Sequence, residues 1–202
     1  MFISLKQEIE DLIACILKNP LIHGRWLNTL SFLEHAGACK IAASAHPSAV
    51  REERLKHAAE EFRHAYYLKN QLHRIGQVCV DYRSSMLLGG WETRHYLRRL
   101  NLFASRENRP LAYWLVTYAI ELRAAELYPL YQSALQKISS PIRVQSILLE
   151  EKEHLEEMER ELSRFPDAKA SILAMCEKEG RLCRKWIFAC NSCLNAICKE
   201  TC

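Results

Sequence analysis

Two Glu-x-x-His pairs stand out in the sequence, and each follows a single glutamate, 27 residues earlier in one case and 30 in the other. Residues three apart on a helix project from the same side, so each pair can present a carboxylate and an imidazole to one point. Such oxygen and nitrogen donors together suit iron or manganese better than zinc or calcium. The six predicted metal ligands are Glu34, Glu61, His64, Glu121, Glu151 and His154.

The residues one or two helical turns from each of these glutamates are largely apolar. Leu30 and Ala38 flank Glu34 in this way. Ile147 lies one turn before Glu151. The pattern predicts that all four glutamates are buried, and a buried carboxylate without compensating charge costs several kcal/mol. No lysine or arginine lies within one turn on these faces, whereas two divalent cations would supply four positive charges for the four carboxylates.

The composition is typical of a helical protein. Glycine and proline are scarce, at six residues each among 202. Apolar residues that recur every three or four positions predict helices, which proline, glycine and serine separate. The predicted helices cover about residues 3–18, 22–46, 47–75, 92–103, 111–135, 142–164 and 167–200. We therefore expect an all-α chain that forms one domain over residues 1–202.

These helices would form two hairpins joined by a long connection, which runs from Gly76 to about Pro110. A weak internal repeat supports the two hairpins: FLEHAGACKIAAS followed by EEFRH in the first corresponds to AIELRAAELYPLYQS followed by EEKEH in the second. Four helices with one such crossover form a ferritin-like four-helix bundle. We expect the core of this bundle over about residues 22–164, with extra helices at both termini.

With a lone glutamate and a Glu-x-x-His given twice, the sequence resembles the non-haem di-iron carboxylate proteins of the ferritin-like superfamily over about residues 22–160. The resemblance implies two iron ions, or one manganese and one iron, on the six predicted ligands. Glu61 or Glu151, or both, would then bridge the ions. His64 and His154 would each bind one ion. A reduced centre of this kind activates dioxygen or peroxide.

Some assignments at these ligands stay open. Glu126 lies on the same helix as Glu121, although its neighbours make Glu121 the preferred ligand. His57 precedes Glu61 by four residues and shares its face, so it is either an extra ligand or a histidine that packs near the start of the helix. Tyr118, one turn before Glu121, is either a core aromatic residue or a hydrogen-bonding partner for a bound ligand.

The last predicted helix is rich in cysteine. Cys176, Cys183 and Cys190 recur every seven residues, and Cys193, Cys198 and Cys202 follow. We interpret the stripe as an apolar seam that packs on the bundle or on another subunit, which would make a homodimer. The alternative is a thiol metal site or a redox pair at Cys190 and Cys193. A rubredoxin-type iron site is excluded, because it needs two Cys-x-x-Cys pairs and this tail has one.

Charge and hydropathy indicate which kinds of partner and which cellular location to expect. The formal net charge is +4, and the basic residues are mixed with acidic ones, so charge alone names no partner. No run approaches the roughly 20 apolar residues that span a bilayer. The first residues carry charges where a signal peptide needs an apolar stretch. We therefore expect a cytoplasmic protein that does not enter a membrane and keeps its nine cysteines reduced.

Four functions fit these features. The first is a di-iron oxygenase or oxidase that uses dioxygen and an electron donor to oxidise a small organic substrate. The second is iron or peroxide handling, as in ferroxidases and rubrerythrins, for which the same ligands serve. The third is a hydroxylase of modified transfer RNA, suggested by a basic connection and a general likeness to such enzymes; otherwise nucleic acid is not an expected partner. The fourth is a helical interaction module without enzymatic activity. The basic residues of the connection are Arg83, Arg94, Arg98, Arg99, Arg106 and Arg109.

Overall fold

The computed structural model describes residues 1–44, 51–77 and 81–200, and no strand occurs in these ranges. The prediction of an all-α fold is confirmed. The α-helices are α1 (Lys6–Ile16), α2 (Pro20–Ser44), α3 (Glu52–Arg74), α4 (Gly90–Glu107), α5 (Ala112–Lys137), α6 (Gln145–Ser163) and α7 (Lys169–Glu200). Short 3₁₀ turns lie at Ser84–Met86, Arg109–Leu111 and Pro166–Ala168. Within the described ranges, none of the helices is long and apolar enough to cross a membrane.

The start of α2 shows how the local sequence sets a helix boundary. The side-chain oxygen of Asn19 accepts hydrogen bonds from the backbone N–H groups of Leu21, at 2.9 Å, and Ile22, at 3.3 Å. Asn19 therefore caps the helix, and Pro20 occupies the first turn, where its missing N–H is not needed. The predicted end of this helix near His46, and the start of the next at Pro47, lie outside the described residues.

Contacts between Cα atoms distinguish two compact units in the chain. One unit comprises Met1–Ile13 and Arg98–Phe188, and we call it the α5–α6 unit. The other comprises Ala14–Leu97 together with the chain from Ala189 onward, and we call it the α2–α3 unit. The expectation of a single domain over residues 1–202 stays a prediction.

In the α2–α3 unit, the two long helices pack against each other as the predicted first hairpin. Leu27 on α2 and Leu68 on α3 are fully buried. The helices are also joined by a hydrogen bond, because the hydroxyl of Ser31 donates to the carbonyl of Ala65 at 2.6 Å. This hairpin fixes the relative positions of the polar side chains that α2 and α3 carry.

The connection after α3 is held to α2 by buried polar side chains. The amide nitrogen of Asn28 donates to the carbonyls of Asp81, at 2.9 Å, and Met86, at 3.1 Å. The hydroxyl of Thr29 accepts from the backbone N–H of Leu88 at 2.8 Å. The short helix that we predicted over 92–103 is longer at both ends in the structure. It begins at Gly90, whose φ is 41°, and its last turn, which is polar and exposed, ends at Glu107.

In the α5–α6 unit, α5 and α6 pack together as the predicted second hairpin. Helix α5 continues through Pro129 to Lys137. The chain then turns at Ser139, whose φ is 49°. The side-chain oxygen of Gln132 accepts from the backbone N–H of Val144 at 2.8 Å, which fixes the start of α6 against α5.

A buried arginine on α5 joins three segments of this unit. Arg123 donates to both carboxylate oxygens of Glu179 on α7, at 2.9 and 2.7 Å, and to the carbonyl of Ile3, at 2.8 Å. Gly180 lies beside Ile3 so closely that a Cβ atom there would be 2.7 Å from the Cβ of Ile3. The segment before α1 therefore packs directly against the backbone of α7.

The cysteines of α7 are buried as the seven-residue spacing predicts. Cys176, Cys183 and Cys190 are each at most 3% exposed. Cys190 and Cys193 carry thiols and not a disulfide. Burial raises the pKa of the Cys176 thiol, and the nearby carboxylate of Glu179 adds to this effect. The predictions for Cys198 and Cys202 concern side chains outside the described part of the chain.

Candidate metal centre

The structure places the six predicted ligands on the helices that the repeat predicts. Glu34 lies on α2, and Glu61 and His64 lie on α3. The second set comprises Glu121 on α5, with Glu151 and His154 on α6. Five of the six side chains are at most 6% exposed, in agreement with the apolar neighbours in the sequence.

Glu34 corrects the expectation that all four glutamates are buried. It is only half-buried, as are the residues next to it from 32 to 37. Apolar residues one turn away, such as Leu30 and Ala38, are buried as expected, so the apolar stripe is present. This stretch of α2 is covered incompletely, which helical periodicity alone cannot show.

In the α2–α3 unit, the first three ligands come together. A carboxylate oxygen of Glu34, a carboxylate oxygen of Glu61 and a ring nitrogen of His64 all lie within 4.8 Å of one another. Glu61 and His64 are three residues apart on α3, and the packing of α2 on α3 brings Glu34 to them. These groups could hold a metal ion.

A glycine on α2 makes room for the Glu61 carboxylate. A Cβ atom built on Gly37 would lie 3.6 Å from Oε2 of Glu61, which is ordinary van der Waals contact. A larger side chain at this position would therefore extend toward the carboxylate. Gly37 is one turn after Glu34, so the same part of α2 supplies a ligand and the space for another.

In the α5–α6 unit, Glu121 and His154 form a second buried set. A carboxylate oxygen of Glu121 and a ring nitrogen of His154 lie within 4.8 Å of each other. Glu151 is three residues before His154 on α6 and is 3% exposed. Ile147 and Met158, one turn and two turns away from Glu151 on this face, are fully buried. Glu121 and His154 are thus neighbouring metal-binding side chains, and Glu151 shares the buried face of α6 with His154.

His57, whose role the sequence left open, lies beside Glu61. It is 2% exposed, and its Nε2 is 3.3 Å from Oε1 of Glu61. His57 is thus part of the buried polar group on α3, and it is not simply a histidine at an exposed helix start.

Glu126, the alternative to Glu121, is engaged elsewhere. Its carboxylate forms an ion pair with Arg123 and accepts a hydrogen bond from the backbone N–H of Leu5 at 3.2 Å. It also accepts from the hydroxyl of Ser4. Glu126 therefore anchors the segment that begins α1, which supports the preference for Glu121 as the ligand.

A cleft of about 390 Å³ in the α5–α6 unit was not predicted from the sequence. Tyr118 lines it together with Glu159 and Lys169. Burial raises the pKa of Tyr118, and the nearby Cys176 and the carboxylate of Glu159 act in the same direction, so the phenol keeps its proton. Tyr118 was noted in the sequence, but the other lining residues come from the end of α6 and the start of α7, which no local pattern relates to it.

Comparisons with protein-family models, with curated proteins and with solved structures give no match to this chain. The chemistry of the buried donor groups and their positions in each unit are therefore the basis for assigning a function.

Proposed function

We propose that this chain is a two-metal carboxylate protein with a ferritin-like bundle, in which four glutamates and two histidines hold two iron ions. The proposed ligands are Glu34, Glu61, His64, Glu121, Glu151 and His154. The observation that carries the proposal is the convergence of Glu34, Glu61 and His64, whose donor atoms lie within 4.8 Å of one another on two packed helices.

The donor set fits metal ions on electrostatic grounds. Burial of a charged carboxylate is costly unless positive charge compensates it. In the α5–α6 unit, the buried Glu179 receives this compensation from Arg123. For the other buried glutamates, divalent cations would supply it, and the neighbouring imidazoles would then act as neutral donors. Mixed carboxylate and imidazole ligation suits iron or a manganese–iron pair.

The ferritin-like bundle is supported by the order of the elements. Two helical hairpins, α2–α3 and α5–α6, are joined by a long connection that contains α4. The ferritin-like class has one such crossover, with one glutamate and one Glu-x-x-His in each half. The sequence repeat places the six proposed ligands in the same way.

We propose an oxygenase or oxidase as the activity. Two reduced iron ions, when bound, supply the electrons that reduce dioxygen, and an external donor must replace them. The side chains of this chain would fix the number of donor atoms and keep water away, because five of the six ligands are nearly fully buried. The cleft beside Tyr118 is large enough for a small organic substrate and offers a phenol, a carboxylate and an ammonium group to orient it.

Metal analysis tests the proposal first. Protein reconstituted anaerobically with ferrous iron and then freed of unbound metal should hold about two irons per chain. Glu61→Gln and Glu151→Gln should each lose most of this iron. The matched controls are Glu60→Gln and Glu153→Gln, which alter the neighbouring acids on the same helices. Equal iron in the ligand variants and the controls would refute the assignment.

Oxygen uptake then separates the two enzymatic functions. The iron-loaded protein should consume dioxygen faster when a substrate and a reductant are present than with either alone. Catalytic turnover of ferrous iron without an organic compound would instead identify a ferroxidase. Neither reaction would occur in Glu61→Gln under either function, which makes that variant the common control.

A further inference from the structure

We infer that His57 is a third imidazole ligand, and that it binds the metal ion on the Oε1 side of Glu61. The inference rests on the proposed two-metal centre and adds a seventh ligand to it. The two metal positions would then differ in their ligands. One would have the additional imidazole of His57, and the second hairpin offers no histidine at the corresponding place.

Helix α3 alone presents three donor groups on one face. His57, Glu61 and His64 are spaced by four and three residues, which places them in one line along the helix. All three are at most 6% exposed. A buried line of imidazole, carboxylate and imidazole is therefore built into a single rigid element, and metal sites on such elements are held more firmly than sites on loops.

The distance between His57 and Glu61 allows both side chains to bind one ion. Metal–nitrogen and metal–oxygen bonds near 2.1 Å at a right angle place the two donor atoms about 3.0 Å apart. The Nε2–Oε1 distance is 3.3 Å. The two donor atoms are therefore close enough to bind one ion together without a rearrangement of α3.

The carboxylate of Glu61 faces two directions. Its Oε1 is the atom nearest His57, whereas its Oε2 faces Gly37 on α2, the helix that also carries Glu34. One oxygen would then bind the ion that His57 holds, and the other would bind the ion that Glu34 and His64 hold. In this arrangement Glu61 would be a ligand of both ions, and His57 would distinguish them.

The internal repeat shows that this feature belongs to one hairpin only. Ile147 precedes Glu151 by four residues, as His57 precedes Glu61, and it is fully buried. An apolar side chain is thus accommodated at the corresponding place in α6. His57→Ile is therefore a suitable test variant, because it removes the imidazole and introduces the residue that is buried at the corresponding place in α6.

The test uses cobalt(II) as the probe, because the ring N–H protons of histidines bound to this ion give strongly shifted proton resonances that disappear in D₂O. Wild-type protein loaded with two cobalt ions should show three such resonances, from His57, His64 and His154. His57→Ile should show two, and its affinity for one of the two ions should fall by more than about 100-fold, beyond the range seen when outer-shell partners of metal ligands are changed. Added free imidazole should restore that affinity in His57→Gly.

The same resonances show which results would refute the role of His57 as a ligand. Three exchangeable shifted signals in His57→Ile, or two in both the wild type and this variant with both ions bound, would show that His57 does not bind the metal. A His57→Gln protein that binds both ions with wild-type affinity would show that the residue only donates a hydrogen bond to Glu61. If the wild type itself fails to bind two ions, the proposed metal centre fails, which is a separate result. The helical circular dichroism of each metal-free variant confirms that it is folded.

Discussion

Replacing Glu61 by glutamine should affect the metal-free and the metal-loaded protein in opposite directions. In the metal-free protein, carboxylate oxygens of Glu34 and Glu61 lie within 4.8 Å of each other. Two negative charges at that distance repel by about 3.5 kcal/mol at an effective dielectric constant of about 20. Because Glu34 is half-buried and partly screened, we expect Glu61→Gln to raise the free energy of unfolding of the metal-free protein by about 1–3 kcal/mol.

The metal-loaded protein should show the reverse. An ion present at 100 times its dissociation constant stabilises the folded state by about 2.7 kcal/mol, so two ions give about 5 kcal/mol. Glu61→Gln removes the carboxylate that we assign to both ions, so this variant should gain almost nothing from added metal. The variant is therefore more stable than the wild type without metal and less stable with it.

Urea unfolding followed by circular dichroism measures both states. One series contains a chelator, and the other contains manganese(II), which avoids oxidation. Glu60→Gln is the matched control, because Glu60 forms ion pairs with the exposed residues Lys56, at 3.7 Å, and Arg63, at 4.0 Å. It should stay within about 0.5 kcal/mol of the wild type and keep the full gain from metal. A metal-free Glu61→Gln protein less stable than the wild type by more than about 1 kcal/mol would refute the electrostatic reasoning.

Three further predictions concern other parts of the chain. Glu179→Ala leaves the buried Arg123 with fewer partners, so the free energy of unfolding, measured in urea, should fall by about 3–5 kcal/mol. The double variant Arg123→Met with Glu179→Leu removes both charges, so its free energy of unfolding should fall by less than that of Glu179→Ala. Burial lowers the pKa of His23 from 6.5 to about 4, so protonation favours the unfolded chain. The stability that neutral His23 contributes should be fully present above pH 6.5 and should fall by about 3 kcal/mol toward pH 4. Metal-free His23→Gln should show a shallower fall, and an unchanged profile would contradict this. Gly37→Val should weaken metal binding, measured by titration, while Gly37→Ala should bind almost as the wild type does; equal binding by both variants would contradict the space that we assign to Gly37.

The sequence predicts the helices well where local chemistry ends them. Asn19 and Pro20 begin α2, and the break near Ser139 lies where the structure has a positive φ. The six proposed ligands could be found because their spacing repeats and their neighbours are apolar. The partial exposure of Glu34 could not be predicted, since it depends on what covers α2 and not on the helix itself.

Contacts between distant segments account for the rest of what was missed. The position of Glu126 depends on Arg123 and on the backbone of Leu5, which is 121 residues away in the sequence. The place of His57 beside Glu61 follows from helical geometry, but its distance to the carboxylate does not. A pattern along one helix predicts which residues share a face, whereas the cleft beside Tyr118 depends on three separate helices.

The close fit of Ile3 against Gly180 has a consequence for biosynthesis. The residues that receive the segment before α1, namely Arg123, Glu179 and Gly180, are translated long after that segment has left the ribosome. At about 5–20 residues per second, the delay between Ile3 and Gly180 is roughly 10–35 seconds. During this interval the apolar side chain of Ile3 lacks the surface that later covers it, so the segment before α1 stays exposed to water while most of the chain is made.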